Sequence, residues 1–204
     1  MDPFHDPARL RQALLPLRDE PAGAGWNLAE IADAVNPATL VDAAVLVGLV
    51  PRPQGTHVLL TRRHDALQHH AGQVSFPGGR VDPGDRSALE AALREAWEEV
   101  ALEPAAIEPM GYLDPYATIT GFRVLPLVAR LPPDYRAVPN PGEVADAFEV
   151  PLAPLLSGEQ LVSMTGTWRG RERNYWEYRV GPYRIWGATA AMLVNLGRRL
   201  GASI

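Results

Sequence analysis

A chain of 204 residues with 47% apolar side chains can bury a sizeable core as one domain with extensions, and is too apolar to be disordered throughout. Its net charge of −5 argues against a duplex nucleic-acid partner, which calls for a basic surface. The absence of cysteine excludes disulfides, thiolate catalysis and cysteine-type zinc sites.

All 19 basic residues are arginine, so any cationic contact to a substrate falls to a guanidinium, a good bidentate partner for phosphate. The opening MDPFHDPARL has no basic stretch leading into an apolar run and does not read as a signal peptide. The longest apolar stretch, LVDAAVLVGLV (40–50), is short for a bilayer span and carries Asp42. These readings point to a soluble, cytoplasmic protein with no membrane partner.

Residues 1–35 read as an N-terminal helical extension, and 36–204 as the main domain. In PARLRQALLPLR, Leu10, Leu14 and Leu17 recur at helical spacing, and NLAEIADAV is a second short helix with Asn27 as N-cap. DAAVLVGLV (42–50) and HVLLTRR (57–63) are strands joined by a turn at PRPQG. FPGG (76–79) breaks regular structure, and a helix follows with Asp85 as its N-cap, DRSALEAALREAWEEV. MGYLDPYAT and FRVLPLVARL are strands around a loop at Thr120–Gly121. PPDYRAVPNPGE is a loop, and EVPLAPLLS runs from extended to helical. NYWEYRVGPYRIWG is a hairpin turning at Gly181–Pro182. ATAAMLVNLGRRL closes the chain as an amphipathic helix whose arginines suit its C-terminal dipole. Strands mixed with a few separated helices predict an α/β or α+β fold.

AALREAWEEVAL (91–102) carries the chemistry. At roughly 100° per residue, Leu89, Leu93, Ala96, Trp97 and Val100 share one side, taken as the core face. Glu95, Glu98 and Glu99 gather nearly opposite, beside Ala88, Ala91 and Ala92. Such a face is ordinarily just solvated. Here the carboxylates lie in the C-terminal half, where the dipole disfavours anions, and like charges three and four apart repel. Three carboxylates without nitrogen or sulfur ligands suit a hard cation such as Mg²⁺ or Mn²⁺, which in turn binds phosphate oxygens.

The stretch PGGRVDPGDRSALEAALREAWEEVAL (77–102) resembles the Nudix box, G-x5-E-x7-R-E-U-x-E-E-x-G-U with U apolar. Arg94, Glu95, Ala96, Glu98, Glu99 and Leu102 stand at the expected offsets. Asp85 replaces the first Glu, one extra residue separates it from Arg94, and Ala101 replaces the later Gly. Upstream, LLTRRHDALQHHAGQVSFPGG (59–79) is similar to the signature L-L-T-x-R-S-x3-R-x3-G-x3-F-P-G-G of the coenzyme A pyrophosphatase subfamily. His64 stands where Ser is usual, and Leu67 lies close to where a basic residue often stands. YRIWGATAAML (183–193) also looks like that subfamily.

The resemblance implies the Nudix fold, a mixed sheet sandwiched between helices. It implies Mg²⁺- or Mn²⁺-dependent hydrolysis of coenzyme A or an acyl derivative to 3′,5′-ADP and 4′-phosphopantetheine or its acyl form, by in-line attack of water. By the same analogy Glu95, Glu98 and Glu99 are metal ligands, with a backbone carbonyl near Gly78 and Gly79 as a further one. Arg94 is either an orienting ion-pair partner or an exposed helix arginine. For the general base, Glu143 leads over Asp146 and Glu149, and Glu98 or Glu99 remain alternatives. Arg62 and Arg63 follow a strand and face opposite ways, so one of them meets a phosphate. His69, His70 and Gln73, just before FPGG, are further substrate contacts, and His70 reads equally as a structural histidine. Trp97 and Trp186 read as core aromatics, and WRGRER (168–173) as a solvated hairpin tip. The partner implied is a small molecule, with a homodimer left open. Two other readings stand beside this one. One is a Nudix hydrolase of ADP-ribose, NADH or nucleoside triphosphates. The other is a non-catalytic nucleotide-sensing module.

Overall fold

The computed structural model describes Phe4, residues 6–64 and residues 72–204. Strands β1 (Val41–Arg52) and β2 (Gly55–Arg63) form an antiparallel hairpin. Two short strands, β3 (Val74–Ser75) and β4 (Gly78–Arg80), bracket Phe76–Pro77. Helix α3 (Ala88–Val100) follows; α1 (Pro7–Ala13) and α2 (Leu28–Ile31) precede the sheet. Strands β5 (Glu108–Tyr112), β6 (Tyr116–Ala117), β7 (Phe122–Arg130) and β8 (Val144–Pro151) complete the main sheet. It runs β3-β2-β1-β7-β5, with β4 on β1, β6 on β7 and β8 on β2. β1 and β7 are parallel and the other pairs antiparallel, so the sheet is mixed.

Alternation along β1 divides the core. Ala44, Leu46 and Val50 face α3 together with Leu125, Leu127 and Ala129. Val47 and Leu49 face the other way, with Val124 and Val128, toward α5 (Gly187–Arg199) and α4 (Leu152–Leu156). Leu10 and Leu14 of the N-terminal segment are buried in that second cluster. The fold is thus the expected α+β arrangement, a mixed sheet between helices. No helix among the described residues is long and apolar enough to cross a membrane.

A second sheet, ordered β11-β10-β9, joins β9 (Leu161–Trp168), β10 (Arg171–Val180) and β11 (Tyr183–Trp186). The Gly181–Pro182 turn falls as expected. The sequence reading places a hairpin tip at WRGRER, where β9 turns into β10, but assigns no strand to LVSMTGTW itself.

Several expectations are corrected. The buried side of α3 is Ala88, Ala91, Ala92, Ala96, Glu99 and Val100, while Trp97 is 48% exposed. Small alanines let the helix approach β1 closely, and the large apolar residues were the wrong guide to its inner face. Ser87, not Asp85, caps α3: its Oγ accepts the Glu90 N–H at 3.2 Å. Asn27 precedes α2 but makes no capping bond with its side chain, which instead bonds Ala117. The tip at WRGRER is not merely solvated, since Arg171 and Arg173 both pair with Asp33.

Candidate active site

α3 delivers its carboxylates to the face of β4. Glu99 is 3% exposed, accepts the Gly78 N–H at 3.3 Å, and lies 3.8 Å from Arg63 Nη1. Burial pushes its carboxyl up to about 8, against the pull of Arg63. Glu95 is raised for the same first reason, burial, with Arg94 opposing. Glu98 is the outermost of the three, its side chain 48% exposed.

The two glycines make this approach possible. A Cβ on Gly79 would stand 2.4 Å from Glu95 Oε1, so any other residue would displace the carboxylate. Gly78 has φ 156°, and a Cβ there would meet the Ala44 carbonyl at 2.4 Å.

Arg94 ties the site together. It donates to Asp85 through Nε and Nη2, to Glu95 and Glu98 through Nη1, and to the Arg80 carbonyl. Hydrogen bonding to Asp85 chiefly raises the arginine further, and the same contact holds Asp85 below the usual carboxylate range. Sequence reasoning made Asp85 a cap and missed this role. The signal available was its place where the box carries its first acid.

Arg63 closes β2, where the register with β8 shifts between Arg62 and Arg63. That irregularity, invisible in sequence, accompanies the turn of Arg63 toward Glu99. Among the described residues, its buried Nε has no hydrogen-bond partner. Its backbone N–H bonds the Gln73 carbonyl at 3.0 Å, and the His64 N–H bonds the Glu143 carbonyl at 2.9 Å. The two ends of the signature segment and the Glu143 loop therefore meet here. Arg62 lies opposite Asp146, near Tyr183.

Of the three candidate bases, Asp146 accepts the Tyr183 hydroxyl at 2.6 Å, and Glu149 is paired with Arg52 at 2.5 Å. Glu143 is exposed, and its charge helps raise both Glu95 and Glu99. His69 and His70 lie outside the described residues. Trp186 is half-buried on the second sheet, with Arg184 4.8 Å over its ring.

Among the described residues, no three acid or imidazole groups converge closely enough to hold a metal ion as they stand. The arginines account for this: Arg94 engages Glu95 and Glu98, and Arg63 lies against Glu99. The donor set nevertheless fits a hard cation. It is all oxygen, and among the described residues Glu99 is a buried carboxylate compensated by one backbone N–H and one distant guanidinium.

A mixed sheet carrying a buried glutamate helix against a glycine strand is the frame of a known class. The NUDIX domain model matches residues 42–164. The chain belongs to the Nudix family and is a Nudix hydrolase. The uncharacterized Nudix hydrolase NudL of Klebsiella pneumoniae is 44% identical over 160 residues, 78% of this chain and 83% of that protein. NudL of Escherichia coli K12 is 45% identical over 161 residues, covering 78% and 82%. The crystal structure of a MutT/nudix family protein from Enterococcus faecalis shares the fold, with TM-score 0.50 and 14% identity over 79% of this chain and 62% of that one. Nudix hydrolases act on small molecules and generally use divalent ions such as Mg²⁺ or Mn²⁺.

Proposed function

We propose that the protein hydrolyses the diphosphate of coenzyme A or an acyl-coenzyme A, giving 3′,5′-ADP and 4′-phosphopantetheine or its acyl form. One observation carries this reading. Arg63, the second arginine of the LLTRR signature, stands 3.8 Å from the buried Glu99 with its Nε unbonded among the described residues. A phosphate-binding cation beside a cation-binding carboxylate suits a bridging diphosphate. The choice of coenzyme A over other diphosphates rests on the similarity of residues 59–79 to the subfamily signature.

Glu95, Glu98, Glu99 and the Gly79 carbonyl would hold the divalent ion. Such an ion supplies charge neutralisation on the diphosphate and a lowered pKa for water. Arg94 fixes the rotamers of Glu95 and Glu98 and joins them to Asp85. Arg63, with Arg62, His70 and Gln73 from the same signature, orients the substrate phosphates. Gly78 lets the β4 backbone turn close beside the reacting group. Glu143, exposed at the rim, accepts the proton that water loses as it attacks phosphorus and the P–O–P bond breaks. In this reading residues 36–204 form the catalytic domain, and 1–35 an extension bracing it.

The test is to incubate the purified protein with coenzyme A, acetyl-coenzyme A, ADP-ribose, NADH and dATP, each with Mg²⁺ or Mn²⁺, and to resolve the products. Release of 3′,5′-ADP well ahead of the other reactions is the expected result. Faster cleavage of ADP-ribose or NADH would leave the Nudix chemistry standing and overturn the choice of substrate.

A further inference from the structure

Two edges of the main sheet are covered by the chain itself. The outer side of β5 is taken by Leu15, whose N–H and carbonyl each bond Tyr112 at 2.9 Å. The outer side of β6 is taken by the Asn27 carboxamide, which bonds both the carbonyl and the N–H of Ala117. β9 differs. It ends its sheet, and among the described residues the one backbone bond on its outer side is at its first residue, where the Leu161 N–H bonds the Gly158 carbonyl at 3.0 Å. Exposed edge strands are normally blunted with charge or proline. LVSMTGTW has neither over eight residues.

The hairpin fixes which groups point outward. Trp168 and Arg171 flank a two-residue turn, Arg169–Gly170, with φ 48° and 79°. The flanking pair is hydrogen-bonded in such a turn, so Trp168, Gly166, Met164 and Val162 bond β10. The N–H and carbonyl groups of Ser163, Thr165 and Thr167 therefore face the open side, with the carbonyl of Leu161, whose N–H bonds the Gly158 carbonyl.

We propose that this edge pairs with the β9 of a second copy, antiparallel about a two-fold axis, making one six-stranded sheet. A two-fold places one residue opposite itself, and Met164 opposite Met164 gives the best match. Val162, 49% exposed, then lies against Gly166 of the second copy. That glycine leaves a shelf floored by Tyr175, whose Cε1 is 3.2 Å from where a Cβ would be. Glu159 comes opposite Arg169 of the second copy, and Arg169 opposite Glu159, both exposed in the single chain. Ser163 meets Thr165, an outward-facing pair that can exchange both backbone bonds. Shape, charge and hydrogen-bond phase agree in this one register, and the occupant they fit is another copy of this chain.

The test uses the full-length protein in sedimentation and light scattering across a dilution series. The wild type should show twice the 22.2 kDa chain mass. Val162→Arg and Thr165→Pro should sediment as folded monomers, because neither change removes a backbone bond within the chain's own sheet, and Thr165→Pro gives up only its exposed hydroxyl bond to Asn174. Opposed residues of a non-hydrogen-bonded pair bring their Cβ atoms within disulfide reach. In this cysteine-free chain, Met164→Cys should therefore cross-link to a covalent dimer on mild oxidation. A monomeric wild type overturns the proposal. So does a dimer that survives Val162→Arg and leaves Met164→Cys uncross-linked.

Discussion

Arg94 grips Asp85 with two nitrogens, Nε at 3.0 Å from Oδ1 and Nη2 at 2.9 Å from Oδ2. The pair spans nine residues and pins the segment before α3 to the middle of that helix. With the side chain of Asp85 only 7% exposed, little water is available to replace the arginine.

Asp85→Ala should therefore cost about 1–3 kcal/mol of stability, the range for hydrogen bonds to charged groups. It should also lower turnover, since Arg94 would no longer hold Glu95 and Glu98 in one place. Urea denaturation and steady-state kinetics on the same preparation check both parts. Unchanged kinetics in a destabilised variant would confine Arg94 to a structural role.

Glu99→Gln should abolish most turnover and leave the fold intact. Glutamine matches the shape and never has to carry a charge in this buried position, so the cation-free protein should stay at least as stable. Circular dichroism and thermal melts read the fold, and product formation reads the activity. Wild-type turnover in this variant would sink the assignment of Glu99 as a metal ligand.

Asp114 supplies a pH signature away from the site. Its hydrogen bonds with Arg199, and secondarily with Asn195, hold its carboxyl below the usual value. A depressed acid gives stability that is whole above the ordinary aspartate value of about 3.9 and is lost as pH falls through the lower folded value. Arg199→Met should flatten the acid limb of the stability–pH curve. A curve parallel to that of the wild type would mean the pair contributes nothing.

Ala101 ends α3 in the left-handed region, φ 54° and ψ 35°, where the box pattern has glycine. A non-glycine residue there costs about 1–2 kcal/mol, partly offset by the extra unfolded-state freedom of glycine. Ala101→Gly should raise stability by about 0.5–1 kcal/mol in chemical denaturation.

The long strands were legible because they are near-continuous apolar runs rich in valine and leucine, as in β1 and β7. That Glu95, Glu98 and Glu99 share one helix was legible from spacing alone. Its orientation was not. Hydropathy placed Leu89, Leu93 and Trp97 inward, whereas the helix buries its alanines so that Glu99 can reach Gly78. Periodicity weighs side chains by polarity, and here closeness of approach decided. Nor did any pattern foretell that Arg63 would meet Glu99, because a register shift between strands is set by pairing across the sheet.

Asn27 offers Ala117 a donor and an acceptor from one carbon, at 2.8 and 2.9 Å. In effect a single side chain impersonates a peptide unit, and β6 sees a neighbouring strand where none exists. The mimicry depends on the amide nitrogen alone. Changing it to oxygen, as hydrolysis of the carboxamide would, sets two oxygens face to face and turns a seal into a repulsion. Beside the Trp26 N–H, which bonds the Pro115 carbonyl at 2.9 Å, the seam that shuts this margin against stray strands thus turns on a single nitrogen.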